Sequence, residues 1–341
     1  MLREIRHPHV APYINAFKIK YTSGTPYADV GYNDVQSITD NGTGDFTINF
    51  KRPYSWASGG TWDIVAIGCP LHSNGNLEYY ASEATKAKVR IAGAGGDYSH
   101  NVITFGWRDR SALNARSVDQ RVYCNLNRPR LLAFQLNGTT TPATITSGAS
   151  GAFSFVRNST GNYTLTFKNA FSYEPIVVGS CASVTTQRFG LIASGTDATK
   201  VTFETYNSGG SPTNSITTLY VIGSDSTDKG GNSDSIIQCN QRRTVLTGFV
   251  ADRAGGSILV NSTDGTYASG GTGVHTITTA EAFRRATTVV AGATNVSSAV
   301  AVRLGTSSAT GYTCTSLNSG GSATSSTTHA LLLGYRDPGE S

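Results

Sequence analysis

The sequence predicts an all-β protein made of three tandem homologous antiparallel β-sandwich domains of a jelly-roll-like type. Three observations carry this prediction: few charged residues, short alternating strands between Gly-rich turns, and one pattern that occurs three times. Only 14% of the 341 residues are charged and 38 are Gly, whereas about 25% are charged in an ordinary soluble protein. This composition excludes a coiled coil, which needs charged heptads. Because no apolar run reaches the length of a membrane-spanning helix, we expect no membrane insertion.

The strands are predicted from the spacing of apolar residues. Segments 46–50 and 163–167 alternate apolar and polar residues, which is the pattern of a strand with one buried face. Asn-Gly, Asp-Gly and Gly-Gly pairs separate such runs and are typical of tight turns between strands. The runs that end at Gly68, Gly179 and Gly292 are continuously apolar. We therefore expect these runs to form central strands that are covered on both faces.

The repeated pattern gives the order of the elements. In each copy a glycine opens an alternating strand, an aromatic residue follows that strand, and an apolar strand with a glycine closes the copy. Landmarks that recur in one order indicate an internal triplication. The opening glycines are Gly44, Gly161 and Gly273, the aromatic residues are Tyr54, Phe171 and Phe283, and the closing glycines are Gly106, Gly223 and Gly334.

The repeats also set the domain boundaries. We predict a first β-sandwich unit at 1–108, a linker at 109–123, a second unit at 124–224, a linker at 225–238 and a third unit at 239–341. Each unit is large enough to have a separate hydrophobic core. Three such units can surround a pseudo-threefold axis or form a row, and both arrangements fit the sequence.

The five cysteines are predicted to be free thiols. No two of them have the C-x-x-C spacing of a zinc or redox site. The N-terminal segment lacks the apolar stretch of a secretion signal, so we expect a compartment that keeps thiols reduced. Equivalent positions in separate domains do not meet the short Cα–Cα distance of a disulfide. A gapless alignment of the first two units pairs Cys69 with Cys181 and Lys88 with Lys200, and Cys124 and Cys239 occupy matching starts of the second and third units.

No catalytic residue, metal site or cofactor is predicted. His7 and His9 flank Pro8, but this spacing alone is more typical of a surface terminal segment than of a metal pair. Neither a G-x-S-x-G elbow nor a Walker loop is present. The net charge of +5 comes from dispersed Lys and Arg residues. A nucleic-acid groove needs a denser basic patch with aromatic residues, so we expect no direct nucleic-acid binding.

The tryptophans are confined to the first unit, and the sequence leaves their role open. Trp62 and Trp107 are interpreted as core or rim positions that smaller residues fill in the other units. Trp56, Tyr79 and Tyr80 would suit a platform on which a sugar ring stacks. The binding residues are therefore not identified at this stage.

The phrase Gly-Thr-Gly-Asp-Phe-Thr-Ile-Asn-Phe at 42–50, followed by an apolar strand, resembles a module of tailed-bacteriophage virion proteins. Segments 161–167 and 171–175 fit the same module, and the third unit keeps it only loosely. The resemblance covers about 25 residues of each unit. It carries no catalytic residues with it.

This resemblance implies a non-enzymatic virion structural protein on the particle surface, such as a tail fibre, a tail-tip component or a head decoration protein. Such a protein acts in assembly and in attachment to a host. Its expected partners are other capsid or tail proteins and a host surface glycan, and its expected location is the virion, after assembly in the host cytoplasm. An oligomer is compatible with this role. The alternative is a carbohydrate-binding module or a lectin-like receptor-binding protein.

Overall fold

The computed structural model describes most of the chain, and its fold is all-β as predicted. Strands make up 67% of the described residues, and this part of the chain has no α-helix, only 3-10 turns such as Tyr32–Asp34. None of its helices has the length and hydrophobicity to cross a bilayer. The described ranges are 3–7, 12–22, 24–54, 64–71, 76–92, 99–107, 120–141, 143–147, 153–182, 187–207, 209–230, 235–239, 244–252, 256–260, 265–284, 287–294, 301–318 and 321–335.

Each predicted unit contains eight strands, and short strands precede each of them. Before the first unit lies β1 (Arg3–His7). The first unit has β2 (Pro12–Thr22), β3 (Thr25–Val30), β4 (Val35–Gly42), β5 (Asp45–Phe50), β6 (Val65–Pro70), β7 (Asn76–Ser82), β8 (Lys86–Ala92) and β9 (His100–Trp107). Before the second unit lie β10 (Gln120–Arg121) and β11 (Tyr123–Cys124).

The second unit has β12 (Pro129–Asn137), β13 (Thr144–Ser147), β14 (Phe153–Ser159), β15 (Asn162–Phe167), β16 (Ile176–Cys181), β17 (Gln187–Leu191), β18 (Lys200–Asn207) and β19 (Ile216–Ser224). Before the third unit lie β20 (Ser235–Ile236) and β21 (Gln238–Cys239). The third unit has β22 (Thr244–Asp252), β23 (Ser257–Val260), β24 (Gly265–Ser269), β25 (Val274–Thr279), β26 (Thr288–Thr294), β27 (Ala301–Ser308), β28 (Gly311–Leu317) and β29 (Thr327–Tyr335).

The same pairing order recurs in each unit. In the first unit four strands pair in the order β3-β2-β9-β6, and the other four pair in the order β4-β5-β8-β7. The second unit has β13-β12-β19-β16 and β14-β15-β18-β17, and the third has β23-β22-β29-β26 and β24-β25-β28-β27. All of these pairs are antiparallel. We call the first set in each unit the inner sheet and the second set the outer sheet.

The opening glycine of each repeat has a backbone conformation that other residues rarely adopt. The φ angles of Gly44, Gly161 and Gly273 are 69°, 69° and 70°, which lie in the left-handed region. Space is also restricted, because a Cβ atom on Gly161 would lie 2.6 Å from the backbone nitrogen of Thr213. The glycine that starts the sequence motif is therefore required both by its turn and by a close approach of the backbone.

The aromatic residue of each repeat packs on its closing glycine. A Cβ atom on Gly106 would lie 2.7 Å from a ring carbon of Tyr54. Equivalent contacts under 3.0 Å would form between Gly223 and Phe171, and between Gly334 and Phe283. Two landmarks that are about 50 residues apart in the sequence thus form one contact, in which a ring replaces the missing side chain.

Each unit has a hydrophobic core between its inner and outer sheets, and all three units also share a central core. The prediction of three separate cores is therefore only half right. The continuously apolar strands explain this, because their second face points toward the other units. Equivalent positions from the three inner sheets meet in the central core as the sets Ile14, Leu131 and Leu246; Ile67, Val178 and Val290; Ile103, Tyr220 and Leu331; and Phe105, Ile222 and Leu333. The units therefore surround a common centre and do not form a row.

The short strand before each unit crosses to a neighbouring unit. β11 runs parallel to β2, and β21 runs parallel to β12. β1 runs parallel to β22, so that Ile5 pairs with Thr244. In each pairing, the short strand that precedes a unit joins the inner sheet of the unit before it in the chain. β1 precedes the first unit and joins the third, so this pairing closes the ring. The segments predicted as linkers thus contain strands that join the units.

The second unit is tied to the first by the side chain of Asn125, which acts like an additional peptide group. Its Nδ2 atom donates to the carbonyl oxygen of Ala16 at 3.0 Å, and its Oδ1 atom accepts from the Ala16 nitrogen at 2.8 Å. Asn125 is 1% exposed. The Cys-Asn pair at the start of the unit is thus an inter-unit contact.

We expect the Asn125→Ala variant to lose about 2 kcal/mol of unfolding free energy, because two buried backbone groups of Ala16 lose their partner. Chemical denaturation monitored by tryptophan fluorescence measures this loss. The matched control is Asn127→Ala, since the Asn127 amide donates to Asp228 in an exposed contact. An equal loss in both variants would contradict the role assigned to Asn125.

The structure corrects two alignments made from the sequence. Cys69 pairs with Asn101, whereas Ser180 pairs with the equivalent Thr218, so Cys69 corresponds to Ser180 and not to Cys181. This shift of one residue turns Cys69 to the opposite face of its strand, where it packs with the core of the second unit.

The second correction concerns Lys88. Lys88 pairs with Thr47, and Thr202 pairs with the equivalent Thr164, so Lys88 corresponds to Thr202 and not to Lys200. A shift of two residues keeps each side chain on the same face. The gapless alignment therefore preserved the alternating pattern although its register was wrong.

Candidate functional site

Four cysteine side chains in the described part of the chain are buried. Cys69, Cys124, Cys181 and Cys314 are free and buried, as predicted. Burial raises the pKa of Cys181 and of Cys314 to about 12, and it raises that of Cys69 as well. Because the thiolate is the reactive form, these residues serve as small apolar core residues.

The other residues noted in the sequence give no site. Among the described residues, no group of three or more His, Cys, Asp or Glu side chains is placed to hold a metal. His275 lies in β25 and is buried, where the other units have Phe46 and Tyr163. His9, Trp56 and Trp62 lie outside the described residues. The structure gives the backbone of His7, Tyr79, Tyr80 and Trp107 in their strands.

A buried cation in the described part of the chain takes part in a contact between units. The ammonium group of Lys18 forms an ion pair with Glu174, so the first unit contacts the second through a buried cation. Burial lowers the pKa of Lys18, and the contact with Glu174 opposes this effect. Lys20 and Lys229 both pair with Asp29, at 2.9 Å and 3.4 Å. The Lys18–Glu174 and Lys229–Asp29 pairs therefore join different parts of the ring, whereas the Lys20–Asp29 pair lies within the first unit.

The candidate site is a polar groove on the first unit, with a volume of about 430 Å³. This volume lies within the range of about 300–1,000 Å³ for small-molecule sites. Phe50 and Pro53 supply its apolar part. The polar lining consists of Gln36, Ser37, Asn49, Lys51 and Thr85. We call these seven residues the first-unit groove.

Gln36 enters the groove because the edge strand β4 has a β-bulge. Val35 pairs with Phe50 and Ser37 pairs with Asn49, which leaves Gln36 as the extra residue between the two pairs. The equivalent strands β14 and β24 start their pairing without an extra residue. Bulges of this kind redirect a side chain and are frequent beside functional sites. The bulge is therefore a specialisation of the first unit.

A second difference between the units is an amide on β5. Asn49 corresponds to Thr166 in the second unit and to Thr278 in the third, since all three occupy the same register position. The Nδ2 atom of Asn49 donates to Ser37 Oγ at 2.9 Å. This hydrogen bond fixes the orientation of the amide, so that its Oδ1 atom remains as an acceptor.

A third difference concerns the hydroxyl group of Thr85. The equivalent residue, Thr199, donates to Asp197 Oδ1 at 2.6 Å. In the first unit Glu83 takes the place of Asp197, and its carboxylate pairs with Lys86 at 3.3 Å. The Thr85 hydroxyl therefore has no carboxylate partner in the described part of the chain, and it is available to a ligand.

The groove suits a ligand with many hydroxyl groups. Amides and hydroxyls offer both donors and acceptors, and the Lys51 ammonium adds donors. Among the described residues that line the groove there is no carboxylate, whereas hydrolysis of a glycosidic bond needs two. The site could not be predicted from the sequence, because its signal is one extra residue in an edge strand.

Comparisons with protein-family models, with curated proteins and with solved structures give no match to this chain.

Proposed function

We propose that the chain is a non-enzymatic structural component of the surface of a tailed-bacteriophage particle. In this proposal it consists of three tandem homologous β-sandwich domains that together replace a trimer. The repeated module resembles those of phage virion proteins. The recurring strand order supports the interpretation of three related domains.

The observation that carries the proposal is the cyclic closure of the ring by β1, β11 and β21. A symmetric assembly usually joins separate chains through equivalent contacts. In this chain one polypeptide supplies all three contacts, together with a common core. A body of this kind is rigid and presents broad surfaces, which suits attachment to other coat or tail proteins.

The charge of the chain is compatible with this role. Its net charge of +5 favours docking on an acidic capsid, tail or host envelope, and salt should weaken such docking. The buried thiols, and a groove whose described lining has no carboxylate, support a non-enzymatic function.

Analysis of purified particles tests the proposal. We expect mass spectrometry of gradient-purified virions to find the protein at a fixed copy number per particle, and labelled antibodies to locate it on the surface. A protein that is absent from particles and accumulates only in the soluble lysate would overturn the proposal. Release of the protein by high salt would identify the charged contacts as part of the attachment.

A second candidate function is carbohydrate binding, and the first-unit groove favours it. This function is compatible with a location on the particle, because a surface component can also contact a host glycan.

A further inference from the structure

We infer that the first-unit groove binds a saccharide, with a preference for one that has a carboxylate group. The biological setting, a glycan on a cell surface, rests on the proposed function, but the binding itself rests on the groove. The inference goes beyond the proposed function because it names the ligand class and the residues that contact it.

The polar lining matches the hydrogen-bonding needs of a sugar. Each sugar hydroxyl both donates and accepts, and so does the side chain of Gln36. Asn49 is held by its bond to Ser37 and presents an acceptor. The Thr85 hydroxyl adds a group that can both donate and accept a hydrogen bond. Neutral groups that are spaced along one groove thus replace several of the water contacts of a bound sugar.

The groove is also supported by rigid elements. Asn49 lies in β5, between β4 and β8 in the outer sheet. The backbone nitrogen of Phe50 donates to the Thr85 carbonyl oxygen at 2.8 Å, and that of Lys51 donates to the Asp34 carbonyl oxygen at 2.8 Å. These bonds hold the two sides of the groove together. A site on paired strands is more precise than a site on a free loop.

Lys51 provides the preference for an acidic sugar. Its side chain is exposed at the edge of the groove, and it is in none of the ion pairs formed between described residues. A carboxylate on the sugar would give this ammonium a charge-assisted hydrogen bond, which is about twice as strong as a neutral one. A neutral sugar of the same shape lacks this contact.

Other ligand classes fit the groove less well. A nucleic acid needs several cations along its backbone and aromatic residues for its bases, whereas Lys51 is the one cation among the described residues that line this groove. A stable protein interface buries more than about 1,000 Å² and has an apolar centre. The groove is small and mainly polar, so a saccharide is the ligand that its chemistry favours.

The test is a glycan array probed with the full chain, followed by calorimetric titration. The probes are oligosaccharides that contain glucuronic acid or galacturonic acid, together with their glucose and galactose counterparts. We expect binding of an acidic probe, and weaker binding of its neutral counterpart. Lack of binding to every saccharide on the array, at millimolar concentration, would overturn the inference.

Variants taken from the other units locate the site. Asn49→Thr installs the residue found in the second and third units, and deletion of Gln36 removes the bulge that they lack. We expect each change to lower the affinity at least tenfold. We expect Lys51→Ala to abolish the difference between acidic and neutral probes. The matched control is Lys168→Ala, at the equivalent position of the second unit, which should leave binding unchanged.

Two further outcomes are decisive. If binding persists in both the Asn49→Thr and the Gln36-deletion proteins, whose folding is checked by thermal melting, the saccharide binds elsewhere and the inference is wrong. A protein that is present on particles but binds no saccharide would retain the proposed function and lose only this inference. A protein that binds an acidic saccharide but is absent from particles would retain this inference and lose the proposed function.

Discussion

Acidification from pH 7.5 to pH 4.5 is expected to lower the stability of the protein by about 2.7 kcal/mol more than that of the His329→Asn variant. His329 lies in β29 and is fully buried. Its Nδ1 atom accepts a hydrogen bond from the backbone nitrogen of Ala66 at 3.0 Å, and this bond joins the third unit to the first. Burial lowers the pKa of His329 to about 3.

The direction of the effect follows from the two pKa values. In the unfolded chain His329 takes up a proton near pH 6.5, whereas in the folded chain it does so only near pH 3. The stabilisation is therefore fully present above pH 6.5 and is lost as the pH falls toward 3. Protonation of Nδ1 would also turn this acceptor into a donor, so that its N–H group would face the N–H group of Ala66.

The His329→Asn variant is the matched control because the first unit has Asn101 at the equivalent position. The Nδ2 atom of Asn101 donates to the Val177 carbonyl oxygen at 3.2 Å, and this bond joins the first unit to the second. An asparagine can thus serve an inter-unit contact here without a proton equilibrium. Urea unfolding at a series of pH values measures the difference. If the unfolding free energies of the two proteins fall in parallel as the pH is lowered, His329 does not determine the loss of stability in acid.

The Gly223→Ala variant is expected to lose about 3 kcal/mol of unfolding free energy, because an added methyl group overfills a packed core. Its Cβ atom would overlap three ring atoms of Phe171. This ring cannot move away freely, since it is 4% exposed and the guanidinium of Arg130 lies 4.2 Å from its centroid. Thermal and chemical denaturation measure the loss.

A second substitution tests the cause of this loss. We expect Phe171→Leu to recover part of the stability of Gly223→Ala, because the smaller side chain leaves room for the methyl group. The control is Gly209→Ala, where the added Cβ atom would meet only Asn207, at 3.4 Å. Equal losses in Gly209→Ala and Gly223→Ala would show that the loss does not come from the ring contact.

The sequence predicted the parts of the fold that leave a pattern in the residues. The closing glycines and the aromatic residues recur because each pair forms one contact, as Gly106 does with Tyr54. The opening glycines recur because their φ angles require glycine. The apolar strands that end near Gly68 and Gly179 were predicted as central because both faces are apolar.

The arrangement of the units could not be predicted in this way. β1 and β22 are joined by backbone hydrogen bonds, which any residue except proline can form. The contact of Asn125 with Ala16 depends on the position of a neighbouring unit, so the Asn itself gave no hint of its partner. The one-residue shift at Cys69 arose because Cys69 was aligned with Cys181, which placed Gly68 one residue out of register with Gly179.

The candidate site could be predicted only in part. The expectation that the first unit carries a specialised contact was based on its aromatic residues, whereas the groove consists mainly of amides and hydroxyls. Gln36 gave no signal because an extra residue in an edge strand looks like ordinary variation in length. The difference between Asn49 and its threonine counterparts has meaning only once the bulge beside it is known.

The ring closure also sets the order of events during synthesis. Ile5 leaves the ribosome early, but its partner Thr244 is made 239 residues later. At about 5–20 residues per second, this interval lasts roughly 10–50 s. During that time the first unit is complete, but its leading strand lacks its partner in the third unit and the inner sheets lack part of their central core. Nascent chains on one messenger RNA are close together, so we expect the early strand of one chain to pair with the late strand of another at high expression, which would give intertwined dimers.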